Sequence, residues 1–403
     1  MMPHVEQNSL VGAEQLAHEV VEVLDGLFPA RQDALSLHEP EFSKRAEATV
    51  VECIRSTFVS SVGAFVSEFE ARLADYCGAA HAVAMVNGTA ALEVALRVAG
   101  VESNTEVLLP SLTFVATPNA ISHLNAVPHF VDTNEQTLGI DPAALRQHLN
   151  RVGETKAGQL FNRETGRRIA AVVPVHVFGH PVEMDELIEV AEDFGIAVIE
   201  DAAEALGSQY KGRQCAAMGL LGAVSFNGNK IITTGGGGAV LTNDPNLAAM
   251  ARHLSTTAKR SHPWAFEHDS VGYNYRMPNL NAALGVSQLE ELPERIAKKR
   301  RLAAAYIDRF AGHPDLRIMK EPEQSVSNYW LNTLLLEPHA VLSRDVILQT
   351  LNDAGFMARP VWEPMHRLSM YANAPRALLP HTESLAERII NLPSSAKLAE
   401  LLQ

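Results

Sequence analysis

Apolar positions along this chain change their period several times, and each change marks a structural element. Between residues 10 and 29, Leu16, Val20, Val23, Leu24 and Leu27 recur at helical spacing with acids between them, which predicts one amphipathic helix. That helix is expected on the surface or in a dimer contact. From Phe65 onward, helical and extended patterns alternate. Glu68 to Cys77 reads as a helix, His81 to Met85 as a short strand, and Thr89 to Ala99 as a helix that opens after Asn87-Gly88. Short apolar runs predict strands at Glu106 to Leu109, Val127 to Val131, Ile169 to Val175 and Ala197 to Glu200, with helices at 141–150 and 183–194 between them. Strands separated by helices imply a mostly parallel sheet covered on both faces, whose ligands gather at the carboxyl ends of the strands. Beyond Asn279, a helical stretch from Leu280 to Phe310 leads into strand-like Trp330 to Leu336, helix-like Ser343 to Ala354 and the segment Arg359-Pro360-Val361-Trp362.

Composition narrows the function classes. A chain of 403 residues can bury a large core in two or three packing units. Its net charge of −14 argues against a general nucleic-acid or anionic-membrane surface, which needs clustered Lys and Arg. A phosphorylated ligand must then be held by local donors. Cys53, Cys77 and Cys215 lack close spacing, so neither a disulfide framework nor a zinc site is expected. The first residues lack a secretory pattern, and no apolar run reaches the roughly 20 residues that cross a bilayer. A soluble cytoplasmic protein is expected.

The stretch from Val198 to Asp244 carries the chemistry. The apolar run Val198-Ile199 ends in Glu200-Asp201, about thirty positions ahead of Ser225-Phe226-Asn227-Gly228-Asn229-Lys230, and four glycines follow at 235–238. An acid at a strand end, a lysine near a serine and a glycine run form a set that holds pyridoxal 5′-phosphate. Lys230 would form the Schiff base and shuttle the proton, and Asp201 would face the pyridine nitrogen. Strand alternation turns Glu200 to the opposite face. Ser225 and the amides of Thr89 and Ala90, which open a helix, would take the phosphate. Neither a P-loop nor a well-placed dinucleotide fingerprint is present, so an ATPase or a dehydrogenase is disfavoured.

These blocks, together with Asn87-Gly88-Thr89-Ala90-Ala91-Leu92, Pro110 to Thr117, Pro174 to Gly179 and Gly272-Tyr273-Asn274-Tyr275-Arg276-Met277, stand in the order and spacing of one family. From about His38 onward the chain resembles the DegT/DnrJ/EryC1/StrS sugar aminotransferases. The resemblance implies an α/β fold of type I among pyridoxal phosphate transferases, with a mostly parallel central sheet flanked by helices and a smaller C-terminal α+β domain. It divides the chain into an N-terminal helical extension at 1–36, a large cofactor-binding domain at 37–280 and a small domain at 281–403. It also implies that Phe114 lies against the cofactor face and that Asn274 reaches the phosphate of a neighbouring subunit, so that a homodimer shares its active sites. Glu204 stands where the family often has glutamine bonding the cofactor's 3′ oxygen, which leaves its protonation state open. His176 and His366 are candidates for the substrate pocket, although lone histidines are more often structural.

The implied reaction moves nitrogen from L-glutamate to C4 of a nucleotide-linked 4-keto-6-deoxy sugar. Leu37-His38-Glu39-Pro40, the run 56–63 and Thr137-Leu138-Gly139-Ile140 resemble the legionaminic acid group, whose acceptor is a UDP-linked 2-acetamido-2,6-dideoxy-4-keto hexose feeding bacterial surface glycans such as lipopolysaccharide O-antigen or nonulosonic acids. GDP-4-keto-6-deoxymannose, as in perosamine synthesis, is the alternative acceptor. A sugar dehydratase, which carries histidine at the Schiff-base position, is opposed by Lys230. A non-enzymatic regulator that binds cofactor or sugar nucleotide is opposed by Asp201, Ser225, Lys230 and Asn274 standing together, and would be favoured by a colourless protein that ignores added cofactor.

Overall fold

The computed structural model describes residues 3–403. Seven strands form the central sheet: β1 (His81–Met85), β2 (Glu106–Pro110), β3 (Val127–Val131), β4 (Ile169–Val172), β5 (Ala197–Asp201), β6 (Leu221–Ser225) and β7 (Gly238–Thr242). Their spatial order is β1-β7-β6-β5-β4-β2-β3. β7 runs antiparallel to both of its neighbours, whereas the ladder from β6 to β3 is parallel throughout. This is the expected mostly parallel sheet. All five residues of β2 and of β6 are buried, as strands covered on both faces must be.

β4 stops at Val172, short of the expected Val175. Pro174 has no amide to donate to the ladder, so Val175 keeps only an isolated bridge to Asp201. The strands β6 and β7 add to those expected, and helices at Lys44–Ser56 (α2), Ala116–His123 (α5) and Pro245–Ser255 (α8) join the predicted set.

Helix starts follow local chemistry. Asn87 caps α4 (Gly88–Val98), its side chain accepting from the amide of Ala90 at 2.7 Å. Asp141 and Asp244 cap α6 (Pro142–Val152) and α8, each followed by proline at the first helical position, where the missing amide costs nothing. The helix α4 is buried on nearly every side, and the remaining sheet-covering helices are α3 (Ala64–Cys77) and α7 (Met184–Phe194).

A 31-residue helix, α9 (Asn279–Arg309), joins the two parts of the molecule. Its first half packs on α2 and α3, while Leu302 and Tyr306 belong to the core of the C-terminal part. There, β8 (Leu316–Ile318), β9 (Asn332–Leu336), β10 (Arg359–Pro360) and β11 (Ile389–Leu392) form an antiparallel sheet in the order β8-β9-β11-β10, beside α10 (Arg344–Asp353). This is the smaller α+β unit. The N-terminal helix α1 spans Pro3–Leu27, and its Leu16, Val20, Leu24 and Leu27 are buried in this same C-terminal core. Its apolar stripe is thus satisfied within the chain, while its polar face stays exposed at the surface. Among the described residues, no helix is long and apolar enough to cross a membrane.

Candidate active site

The carboxyl ends of β1, β2, β5 and β6 open to one edge of the sheet, and the expected site residues stand there. Asp201 is the last residue of β5 and is buried. Its Oδ2 accepts from the Thr117 hydroxyl at 2.7 Å, and its Oδ1 accepts from the Ala203 amide at 3.1 Å. Glu200 does point the other way. It is fully buried and accepts from the amides of Ala216, Met218 and Gly219 and from Nε2 of His176.

Lys230 follows β6 in a loop pinned from outside, since Trp330 Nε1 donates to the carbonyl of Asn229 at 2.8 Å. The amine of Lys230 lies 4.0 Å from the centre of the Trp330 ring and 3.3 Å from Oε1 of Glu204. The other oxygen of Glu204 accepts the amide of Phe178 at 2.8 Å. Burial pushes the Glu204 carboxyl above the usual range, opposed by the Lys230 charge and the Phe178 amide and assisted by the charge of Asp201. Phe178 directs that amide from a left-handed backbone, φ 55° and ψ 16°, which an aromatic residue rarely adopts.

The phosphate cradle can be tested on geometry. A Cβ built on Gly88 would lie 2.7 Å from Cβ and 3.0 Å from Oγ of Ser225, so the absence of a side chain lets the serine sit against the start of α4. The amide of Ala90 is taken by Asn87, which leaves Gly88 and Thr89, the first two residues of the helix, without an intrahelical acceptor. Two free amides at a helix N-terminus beside a hydroxyl suit a phosphate. With Asp201 and Lys230 nearby, the donor set fits pyridoxal phosphate. Phe114 is half exposed at the mouth, its ring 6.1 Å from that of Trp362. Asn274 does not join this group by hydrogen bonding: it is exposed, is bridged through its backbone to Thr256, and its side chain has no hydrogen-bond partner among the described residues.

The two candidate histidines serve the framework. His176 has no exposed surface; its Nδ1 meets the Val182 amide and its Nε2 meets Glu200, which fixes the ring behind the sheet. His366 is buried between the Ser111 hydroxyl at 2.7 Å and Glu383 at 2.6 Å. Three participants were not read from the sequence. Thr117 had a signal, since it stands four residues after Thr113 and therefore near it at the start of a helix. Phe178 and Trp330 had none, because their roles depend on backbone strain and on the distant C-terminal part.

Residues 40–401 match the model of the DegT/DnrJ/EryC1/StrS aminotransferase family. The chain is 38% identical to the putative pyridoxal phosphate-dependent aminotransferase EpsN of Bacillus subtilis (strain 168), over 90% of this chain and 92% of that one. It is 36% identical to the GDP-perosamine synthase of Caulobacter vibrioides, over 91% and 94%. A crystal structure of DesI in the presence of its TDP-sugar product superposes with a TM-score of 0.80 at 30% identity, covering 94% of each chain. The chain belongs to the DegT/DnrJ/EryC1/StrS aminotransferase family.

Proposed function

We propose that this aminotransferase moves the amino group of L-glutamate to C4 of a nucleotide-linked 4-keto-6-deoxy sugar, with GDP-4-keto-6-deoxymannose as the acceptor. Pyridoxal 5′-phosphate is the cofactor, and the residues at the sheet edge fit it. The observation that carries the choice of acceptor is the 36% identity to a GDP-perosamine synthase over nearly the whole of both chains. The DesI likeness supports the wider class, because that protein was crystallised with a TDP-sugar. A UDP-linked 2-acetamido-2,6-dideoxy-4-keto hexose, the legionaminic-type acceptor, is the second reading; the runs at 37–40, 56–63 and 137–140 favour it. Either product would feed bacterial surface glycans from the cytoplasm.

When bound, the cofactor supplies a carbonyl that carries nitrogen between substrates and a ring that accepts electrons. The chain supplies the rest. The Gly88 and Thr89 amides and the Ser225 hydroxyl hold the phosphate, with Ala90 lining the same turn. Asp201, braced at both oxygens, faces the ring nitrogen and favours positive charge there. Lys230 Nζ would serve as base for the proton on the carbon that bears the nitrogen and then as acid when that proton moves to the far side of the nitrogen, so one amine would fill both roles. Phe114 covers the outer face and limits access of water. Asn274 completes the phosphate site of a second subunit, making the homodimer the active unit.

The test is amination of the two acceptors in parallel by protein loaded with cofactor and L-glutamate, read by mass spectrometry. Formation of GDP-4-amino-4,6-dideoxymannose supports the first reading. Amination of the UDP-linked sugar alone transfers the assignment to the second, and amination of neither overturns both acceptors.

A further inference from the structure

Asp201 is braced from two directions, and one brace comes from a residue outside the expected site. Thr117 lies in the first turn of α5 and is buried, with its hydroxyl 2.7 Å from Oδ2 of Asp201. A carboxylate only accepts, so Thr117 is the donor and its own oxygen is left to accept. Thr113, also buried, places its hydroxyl 3.0 Å from that oxygen; its alternative acceptor, the Phe114 carbonyl, is 3.4 Å away. The bonds therefore run one way, from Thr113 to Thr117 to Asp201.

A threonine in a helix usually turns its hydroxyl back to a carbonyl of the preceding turn. Thr117 stands in the first turn of α5, with no helical turn before it, and makes no such bond. Its hydroxyl is committed across the sheet edge instead. The second brace, the Ala203 amide on Oδ1, comes from the turn after β5. Two anchors from different elements, one on each oxygen, fix the plane of the carboxylate as well as its position. Thr113 and Thr117 also flank Phe114, so one short segment sets both the aromatic cover and the carboxylate orientation.

We propose that Thr117 is a positioning residue for Asp201, holding Oδ2 so that the carboxylate meets the cofactor's ring nitrogen in a single orientation, with Thr113 aligning the Thr117 hydroxyl. The inference rests on the assignment of pyridoxal phosphate as cofactor. Thr117→Val removes the hydroxyl at nearly constant shape, and Thr117→Ser keeps it. On the full-length protein, the cofactor dissociation constant and the pH midpoint of the visible absorbance change are measured for each. Thr117→Val is expected to weaken cofactor binding about tenfold and to move the midpoint, while Thr117→Ser stays within about twofold of the parent. Thr113→Val, which spares the direct bond, is expected to fall between them and serves if Thr117→Val does not fold. Unchanged affinity and midpoint in Thr117→Val, or a Thr117→Ser as impaired as Thr117→Val, would overturn the role of the hydroxyl. A parent protein that takes up no cofactor would instead overturn the cofactor assignment and the inference with it.

Discussion

Lys230 and Glu204 meet at 3.3 Å, amine to Oε1, in a site where Glu204 is almost wholly buried and its second oxygen is held by the Phe178 amide. Because burial raises the Glu204 carboxyl, the folded chain keeps a proton there that the unfolded chain releases above the ordinary value of 4.5. The sign follows from linkage: this group costs stability progressively as pH rises from 4.5 until the folded carboxyl itself ionises. Glu204→Gln keeps an acceptor for the Phe178 amide and removes the titration. In denaturant unfolding of cofactor-free protein from acid to neutral pH, the parent is expected to lose stability relative to Glu204→Gln. A constant difference would show that the carboxyl is not raised.

Gly88 sets the width of the phosphate cradle. Its missing side chain lets Ser225 approach, since an added Cβ would come within 2.7 Å of the serine Cβ. Gly88→Ala is expected to cost about 1–3 kcal/mol of stability through overpacking. It should also weaken cofactor uptake by about tenfold or more. Spectral titration of the variant gives the second quantity and thermal unfolding the first. A variant that binds cofactor like the parent would remove Ser225 and the α4 amides from the phosphate site.

Far from the site, at the other end of β2, a polar chain crosses the interior. Arg151 donates to Nδ1 of His148 at 3.3 Å, His148 Nε2 lies 2.7 Å from Nε2 of His129, and Nδ1 of His129 lies 2.8 Å from the buried Glu106. Burial, with the charges of His129 and Arg151, lowers the His148 ring from 6.5 to about 4. A depressed histidine stays neutral in the fold and becomes charged when unfolded, so its stabilisation is lost as pH falls from 6.5 toward about 4. His148→Gln, which retains polar atoms but cannot titrate, is expected to show a shallower loss across that window. Parallel stability curves for the two proteins would contradict it.

How much of this could be read before folding differed by element. Strands β2, β3 and β5 were legible because strands buried on both faces are short apolar runs; the Asp-Pro pairs at 141–142 and 244–245 are equally local signals for helix starts, and a helix is expected from the sequence only after the first. Asp201, Lys230 and Ser225 were legible because each sits at a strand end or in the loop after one, where spacing in sequence becomes proximity in space. The end of β4 was overestimated because apolar character continued past Pro174, a residue that breaks the ladder without changing hydropathy. β6 and β7 were hidden by glycines that read as loop. The burial of α1 on the C-terminal sheet was not legible, since an amphipathic stripe shows that a helix is covered but not by what. The contact of Trp330 with Lys230 spans a hundred positions and both parts of the fold, beyond the reach of any local pattern.

Asn274 offers a test of subunit sharing. It is exposed and its side chain is unbonded within the described residues, which leaves it available to the phosphate site of a second chain. Asn274→Ala and Lys230→Ala proteins are each expected to be severely impaired, and mixing them after mild dissociation should restore part of the activity. The hybrid dimer would hold one site with both residues intact. Full activity of Asn274→Ala alone, or no recovery on mixing, would contradict the shared site.

Lys230 is expected to hold the cofactor through its amine. Borohydride reduction of protein loaded with pyridoxal phosphate, followed by digestion and peptide mass spectrometry, locates the attachment directly. The mass of the reduced cofactor is predicted on the peptide containing Lys230, absent in Lys230→Ala and absent when L-glutamate is added before reduction. Attachment at another lysine, or none in protein that has taken up cofactor, would contradict the account.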